Sequence, residues 1–264
     1  MKKRRAFPLY IGLVLVILYV PIALVIVYSF NQSRLSSVWG GFTLNWYAQL
    51  FQDRSLFEAL RNSVVLGLLA SFSSASIGAL GAWGITKASA ACAPRKPAHT
   101  IMEYLSILPI MIPEIILGMT FLSFFSLLAL PLGMFTLVIA HTAFCVPYTY
   151  LLVRSRLAGL DGSYVEAARI MGASEARAFC DITLPMILPA IVSGMLISFA
   201  MSFDDVIVSV FVAGVDANTL PMKIYSQIKT GVTPKTNAMC TLIFALTMIL
   251  CLIAAWLSRR RSAG

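Results

Sequence analysis

The sequence predicts an all-α membrane protein of six transmembrane helices with both termini in the cytoplasm. Three observations carry that prediction. The 264 residues are 59% hydrophobic and only 12% charged, about half the charge of a soluble domain. Apolar stretches of the roughly 20 residues needed to cross a bilayer recur along the whole chain. Lys and Arg are also unevenly divided between the segments that join them.

The first stretch, Phe7–Phe30, follows the basic run Lys2-Lys3-Arg4-Arg5. It is longer than a signal-peptide core, and Tyr28-Ser29-Phe30 is a poor small-residue cleavage site, so it reads as a retained span. Asn31–Arg61 follows on the outer side, and its Trp39, Trp46 and Tyr47 favour the headgroup level. The second span is Asn62–Thr86, in which Ser74, Gly78 and Ala82 recur every four residues on one face. Small residues at that spacing let helices approach closely, either within the subunit or against a partner. Lys87–Thr100, with Pro94 and Pro97, is a cytoplasmic turn.

The third span, Tyr104–Leu130, is interrupted only by Glu114, and the nearby Pro109 and Pro113 suggest a kink. Pro131–Val153, Ile182–Phe203 and Thr236–Ser258 complete the six. Each must be helical, because hydrocarbon cannot satisfy open backbone groups. A single membrane domain therefore covers residues 1–264, with a cytoplasmic loop over 161–182 and an outer loop over 204–235. The outer loop holds an apolar run, Val206–Val215, too short to span; it suits a re-entrant or interfacial element. No internal repeat is evident, which argues against a carrier built from inverted repeats.

With six spans, fourteen Lys and Arg residues fall on the side of the termini and six on the other. The positive-inside rule then puts the termini and the 161–182 loop in the cytoplasm. The net charge of +9 is thus a topology signal, and no nucleic-acid partner is implied. The cysteines (Cys92, Cys145, Cys180, Cys240 and Cys251) form no C-x-x-C pair and read as small packing residues. His99 and His141 are the only histidines, so no metal centre or catalytic triad can be assembled. No G-x-x-x-x-G-K-[ST] phosphate loop occurs, so the chain is expected to be non-catalytic.

The cytoplasmic loop carries the most specific signal. Ser163-x-x-Glu166 has the form of a capping box opening a short helix. Gly172 supplies a left-handed residue that ends it, and Ser174 can cap a second short helix running toward Asp181. Pro185 and Pro189 lie near the start of the next span, where proline is tolerated. Such a pair could lie on the membrane surface. Ala167 and Ala168, however, bury too little area to anchor a helix in lipid and suit a groove on another protein.

Glu166-Ala167-Ala168, then Gly172, then Ile182-x-Leu184-Pro185 resembles the coupling loop of ABC importer permeases. The resemblance extends through Ser155-Arg156-Leu157, Leu184–Ala190, Ser202–Val208, Leu220-Pro221-x-x-Ile224-Tyr225-Ser226, Tyr28–Ser33, Trp39 and Trp46-Tyr47, which together cover most of the chain. These residues are similar to the second permease subunit of spermidine/putrescine importers. The resemblance implies a type I ABC importer permease, MetI-like in fold, in the bacterial inner membrane. It implies a homologous permease as heterodimer partner, two ATP-binding subunits that hold the ATP and Mg, and an extracytoplasmic polyamine-binding protein. It assigns ATPase coupling to Glu166, Ala167, Ala168, Gly172, Leu184 and Pro185.

A polyamine needs carboxylates and aromatic faces along its route, and acids within a span are costly enough to mark a cavity or a partner. Glu114, Asp204, Asp205, Tyr148 and Tyr150 are the candidates. Each has a plainer reading. Asp204 could cap the Val206–Val215 element, Glu114 could be a neutral hydrogen-bonded group, and the tyrosines could be packing. Two rival functions stay open: the same importer class with another substrate, or a secondary carrier with Glu114 as its proton site.

Overall fold

A computed structural model of the protein describes residues 3–33, 38–91 and 97–262, with side chains over 10–33, 38–88 and 101–249. Lys2, Arg34, Cys92, Pro94, Arg95 and Lys96 lie outside the described residues, and so do the side chains of Cys251 and of the basic residues at 259–261. Among the described residues, twelve α-helices follow in order: α1 Lys3–Tyr28, α2 Asn45–Phe51, α3 Arg54–Ala91, α4 Pro97–Met111, α5 Glu114–Leu127, α6 Met134–Ala158, α7 Ser163–Ile170, α8 Glu175–Ala178, α9 Leu184–Asp204, α10 Ile207–Val212, α11 Leu220–Thr230 and α12 Pro234–Ser262. A π-helical turn, Phe179–Thr183, joins α8 to α9.

Among the described residues, four helical stretches are long and apolar enough to cross a bilayer: Tyr10–Tyr28, Arg54–Ala88, Met134–Ala158 and Glu175–Asp204. The expected third span is not one rod. Pro113 has no N–H to continue the ladder, and the chain bends by 106° between α4 and α5. Counted as one broken span, the pair makes a fifth. The expected sixth span falls within α12.

The chain divides into two compact units, Glu58–Met222 and Met1–Phe57 with Lys223–Gly264. In the first, α6 and α9 form the main helix pair, with α3 alongside. Small residues set the spacing. A Cβ at Gly194 of α9 would come within 2.7 Å of Thr149 Oγ1. A Cβ at Gly78 of α3 would come within 2.9 Å of the Val146 carbonyl oxygen. Ser74, Gly78 and Ala82 are buried, so that stripe serves packing inside the subunit. Polar contacts hold the α6–α9 seam, as helix pairs in lipid require: Ser198 Oγ donates to the Cys145 carbonyl at 3.4 Å, and His141 Nδ1 lies 2.8 Å from Ser202 Oγ.

The Val206–Val215 run folds as the short helix α10, buried against α5 and α6. Leu66, Phe125, Leu137, Val208 and Val212 meet in one apolar core. Gly118 on α5 admits Phe211, whose ring edge would lie 2.6 Å from a Cβ there. At the other end of the unit, Tyr150, Val153, Ala79, Ala82 and Ile187 form a second cluster.

In the other unit, α12 packs against α1 and α2. The loop after α1 is organised by fully buried Asn31: its amide donates to the Val38 carbonyl at 2.7 Å, its side-chain oxygen accepts from Gly40 N–H at 2.8 Å, and its own carbonyl accepts from Trp46 Nε1 at 2.7 Å. Tyr47 Oη lies 2.6 Å from Ser29 Oγ. Trp46 and Tyr47 therefore spend their polar tips inside the loop, where the sequence suggested membrane-surface anchors. Asp53 pairs with Lys235 at 2.9 Å and Lys223 at 3.5 Å. The Lys235 hydrogen bond, with help from Ser55 and both lysine charges, holds its carboxyl well below the usual carboxylate range. None of the Tyr10–Tyr28 stretch is buried, and a helix bare and apolar all round belongs against lipid or a partner helix.

Candidate functional site

Two places in the Glu58–Met222 unit gather the candidate residues. The first is the loop between α6 and α9. The expected capping box is absent: Gly162 is the N-cap of α7, and Ser163 is already helical. Asp161 takes over, its carboxylate accepting from Ser163 N–H at 2.9 Å. That bond and a second from the Ser163 hydroxyl hold the Asp161 carboxyl below its usual range. An aspartate two residues upstream thus satisfies the Ser163 N–H that the Glu166 carboxylate was expected to reach, while the Glu166 N–H bonds the Gly162 carbonyl.

Gly172 ends α7 at φ +89°, with open space where a Cβ would stand. Ser174 then caps α8 by accepting from Arg177 N–H at 3.3 Å. The expected second short helix is not separate. After four residues it passes through the π turn, where Leu184 N–H bonds the Phe179 carbonyl, and runs into α9. Pro185 cannot donate to the preceding turn, so the ladder widens there by a residue instead of breaking. The loop is therefore one separate helix, one turn and one end of a membrane helix.

Glu166, Ala167 and Pro185 are exposed, and Leu184 packs against the Tyr150 cluster. The large apolar side chains most freely presented in the loop are ones the sequence reading passed over: Ile170 and Met171 are 87% and 88% exposed. They lie inside the motif at the α7 terminus, and an apolar pair in water at a turn was the available signal. Behind α7 lies a cavity of ≈ 270 Å³ lined by Trp83, Lys87, Tyr164, Val165, Glu175 and Phe179, among others. Trp83 meets Phe179 with ring centroids 4.4 Å apart, a contact worth about 0.5–1.5 kcal/mol beyond its burial. Lys87 lies over Trp83 at 5.0 Å and pairs with Glu175 at 2.6 Å. That hydrogen bond lowers the Glu175 carboxyl from its usual range, though water screens so exposed a pair.

The second place is a cavity of ≈ 510 Å³ between the α4–α5 bend and the end of α9. It brings together four of the five route candidates: Glu114, Tyr148, Asp204 and Asp205. Glu114 is not deep in a continuous span but opens α5, where the helix dipole favours a carboxylate. Asp204 is exposed at the end of α9. Asp205, not Asp204, caps the next helix: it accepts from Val208 N–H at 3.2 Å, Ser209 N–H at 2.8 Å and Ser209 Oγ at 2.7 Å. Fully buried His141 approaches the same carboxylate, Nε2 to Oδ2 at 3.4 Å, and sits 3.1 Å from Ser209 Oγ. Asp205 is thus tied into the fold on one side of the cavity, leaving Asp204 and Glu114 as its freer carboxylates.

Tyr150 is the candidate the fold withholds. It is 1% exposed in the apolar cluster, and its hydroxyl accepts from Arg154 Nη1 at 3.0 Å. Arg154 also grips Glu103 at 2.7 Å, joining α6 to α4. Tyr148 and Tyr150 are two positions apart on a helix and so face different ways.

Residues 83–262 match the family of binding-protein-dependent transport system inner membrane components. The spermidine/putrescine transport system permease protein PotC of Haemophilus influenzae is 36% identical over 245 residues, 93% of each chain. The putrescine transport system permease protein PotI of Escherichia coli K12 is 36% identical over 249 residues, 92% of this chain and 87% of that one. Among solved structures, a bacterial ABC transporter that imports the acidic polysaccharide alginate superposes with a TM-score of 0.73 at 14% identity, over 97% of this chain and 98% of that one. At that identity the likeness is one of fold, the MetI-like permease fold.

Proposed function

The chain belongs to the binding-protein-dependent transport system inner membrane components, and from that premise we propose that it is the polyamine-conducting permease of an ATP-driven importer. As in its permease relatives, it is a non-catalytic multi-pass membrane subunit. Half of the pore would come from this chain and half from a homologous partner, in the inner membrane of a bacterium. Two ATP-binding subunits would engage the coupling segment from the cytoplasm, and an extracytoplasmic binding protein would deliver substrate. Six spans with cytoplasmic termini follow on this reading, with α4–α5 as one broken span and α12 as the last.

The single observation that carries the substrate assignment is the cavity in which Glu114, Asp204, Asp205 and Tyr148 converge. A polyamine carries two or more ammonium groups, and carboxylates beside an aromatic ring match that chemistry. The names of the 36% identical relatives support the same class. Coupling is supported by Ile170 and Met171, which a subunit would not leave bare without a partner to cover them.

The test is uptake of labelled spermidine and putrescine by the reconstituted importer. Glu114→Gln and Asp204→Asn remove charge while keeping size. Each is expected to lower uptake about tenfold or more, the loss of a charged hydrogen bond of about 1.5–3 kcal/mol, with complex assembly and basal ATP hydrolysis retained. Wild-type uptake in both variants would sink the cation route.

A further inference from the structure

The geometry points to a rigid connection between the coupling segment and α3, in which Trp83 and Lys87 are positioning residues that make α8 and α3 move as one body. This rests on reading 163–182 as the segment the ATPase moves. The chain offers α9 as the obvious lever, but the π turn Phe179–Thr183 lies between α8 and α9. A π turn followed by Pro185 and Pro189 lacks the regular hydrogen-bond ladder that stiffens a helix. A push on α8 alone would be partly absorbed there.

Trp83 grips the segment at Phe179, the first residue of that turn and so on its loop side. Lys87, one helical turn further on, bridges the Trp83 ring and Glu175. Phe179 and Glu175 are four residues apart, as are Trp83 and Lys87, so two adjacent rungs join the helices and resist rotation of one about the other. Thr86 and Lys87 also line the cavity that backs α7.

The other end of α3 shows where such motion would go. Ser63 Oγ accepts from Leu220 N–H at 2.8 Å, and Asn62 Nδ2 donates to the Asn218 carbonyl at 3.0 Å. Leu66, one turn on, is packed with Val208 and Val212 of α10. Lys87 lies about 24 residues beyond Ser63, roughly 36 Å along an unbroken helix. Between those ends Gly78 seats α3 on α6. α3 is thus a single rod running from the coupling segment to the segment that carries α10 and the wall of the acidic cavity. Displacement of α8 reaches that wall through α3 without crossing the π turn.

The experiment uses the whole importer, with its ATP-binding subunits, in proteoliposomes, reading polyamine uptake and ATP hydrolysis together. Trp83→Ala and Lys87→Glu should assemble and keep basal hydrolysis, while polyamine moved per ATP falls by roughly twofold to thirtyfold. Lys87→Glu combined with Glu175→Lys should recover the ratio, which a merely structural loss would not. If Trp83→Ala fails to assemble, Trp83→Phe, which keeps a ring on Phe179, should assemble and keep the wild-type ratio. Cysteines at 87 and 175, in a background without the native ones, should restore the ratio when joined by a short, reductant-cleavable thiol cross-linker. Cross-linking that stops transport, with recovery on reduction, would overturn the proposal. Wild-type ratios in both Trp83→Ala and Lys87→Glu would do the same. Gly172→Val separates the two readings. Normal transport in that variant removes the coupling assignment itself. Loss there, beside wild-type Trp83→Ala and Lys87→Glu, removes only the α3 connection.

Discussion

Gly172 stands at φ +89° with nothing within 4 Å of a prospective Cβ. Substitution there changes backbone preference without creating a clash, which makes it a clean probe of the turn. A β-branched residue at positive φ costs of the order of 1–3 kcal/mol, enough to reset the angle of α7 in an otherwise solvent-exposed segment. Gly172→Val is expected to insert normally, because no span is touched, while substrate uptake and substrate-stimulated ATP hydrolysis both collapse. Membrane fractionation and paired uptake and hydrolysis assays check the two halves of that expectation. The same scale explains why neighbouring acids differ. Asp204 ends α9 in the open, whereas Asp205 accepts three hydrogen bonds from α10 and faces His141. Only hydrogen-bond geometry separates two identical side chains at adjacent positions.

Helices in this protein approach through glycine. Gly194 lets α9 lie on α6 at Thr149, and a Cβ there would fall 2.7–2.9 Å from Thr149 atoms, including its Cα. Backbone cannot yield as a side chain tip can, so Gly194→Val should force the helices apart. Overpacking of this kind costs about 1–3 kcal/mol. The expected result is a lower midpoint of thermal unfolding in detergent. Gly84→Ala, inside α3 with nothing within 4 Å, should leave the midpoint no lower, since alanine is the better helix former. Equal midpoints for the two variants would mean that α6 and α9 have room the packing does not reveal.

For the whole molecule, the charge-determined topology is the claim most open to direct measurement. Ser174 and Asn218 are both exposed, and they belong to segments assigned to opposite sides of the membrane. In a background without the five native cysteines, Ser174→Cys is expected to react with a membrane-impermeant thiol reagent only after cells are opened. Asn218→Cys should react from the outside. The reverse pattern would invert the subunit and remove the 161–182 loop from the reach of a cytoplasmic ATPase. Among the described residues, each Lys or Arg ion pair joins residues that the charge rule assigns to one side: Lys87 with Glu175, Arg154 with Glu103, and Asp53 with Lys223 and Lys235.

By itself, the sequence determined the helical membrane class, the positions of the apolar stretches and the motif with its left-handed glycine. Those follow from local facts: hydrocarbon excludes charge and open backbone, and a residue's φ preference is its own. It also named the acids that meet in one cavity, because acids beside spans are too costly to be incidental. The tertiary structure decided what depends on neighbours distant in sequence. Pro113 promised a kink, but the size of the bend, and so the place of Glu114 at a helix start, goes with α4 packing on α6 and α5 on α10. Tyr148 and Tyr150 have the same chemistry, and helix rotation within the bundle sent one to the cavity and the other to the core. Asp161 took the Ser163 N–H that a capping box would have given to Glu166, because the chain entering α7 brings the Asp161 carboxylate to 2.9 Å from it. Trp83 meeting Phe179, far apart along the chain, had no signal in either neighbourhood, since nothing local to one residue specifies the surface that another helix will bring to it.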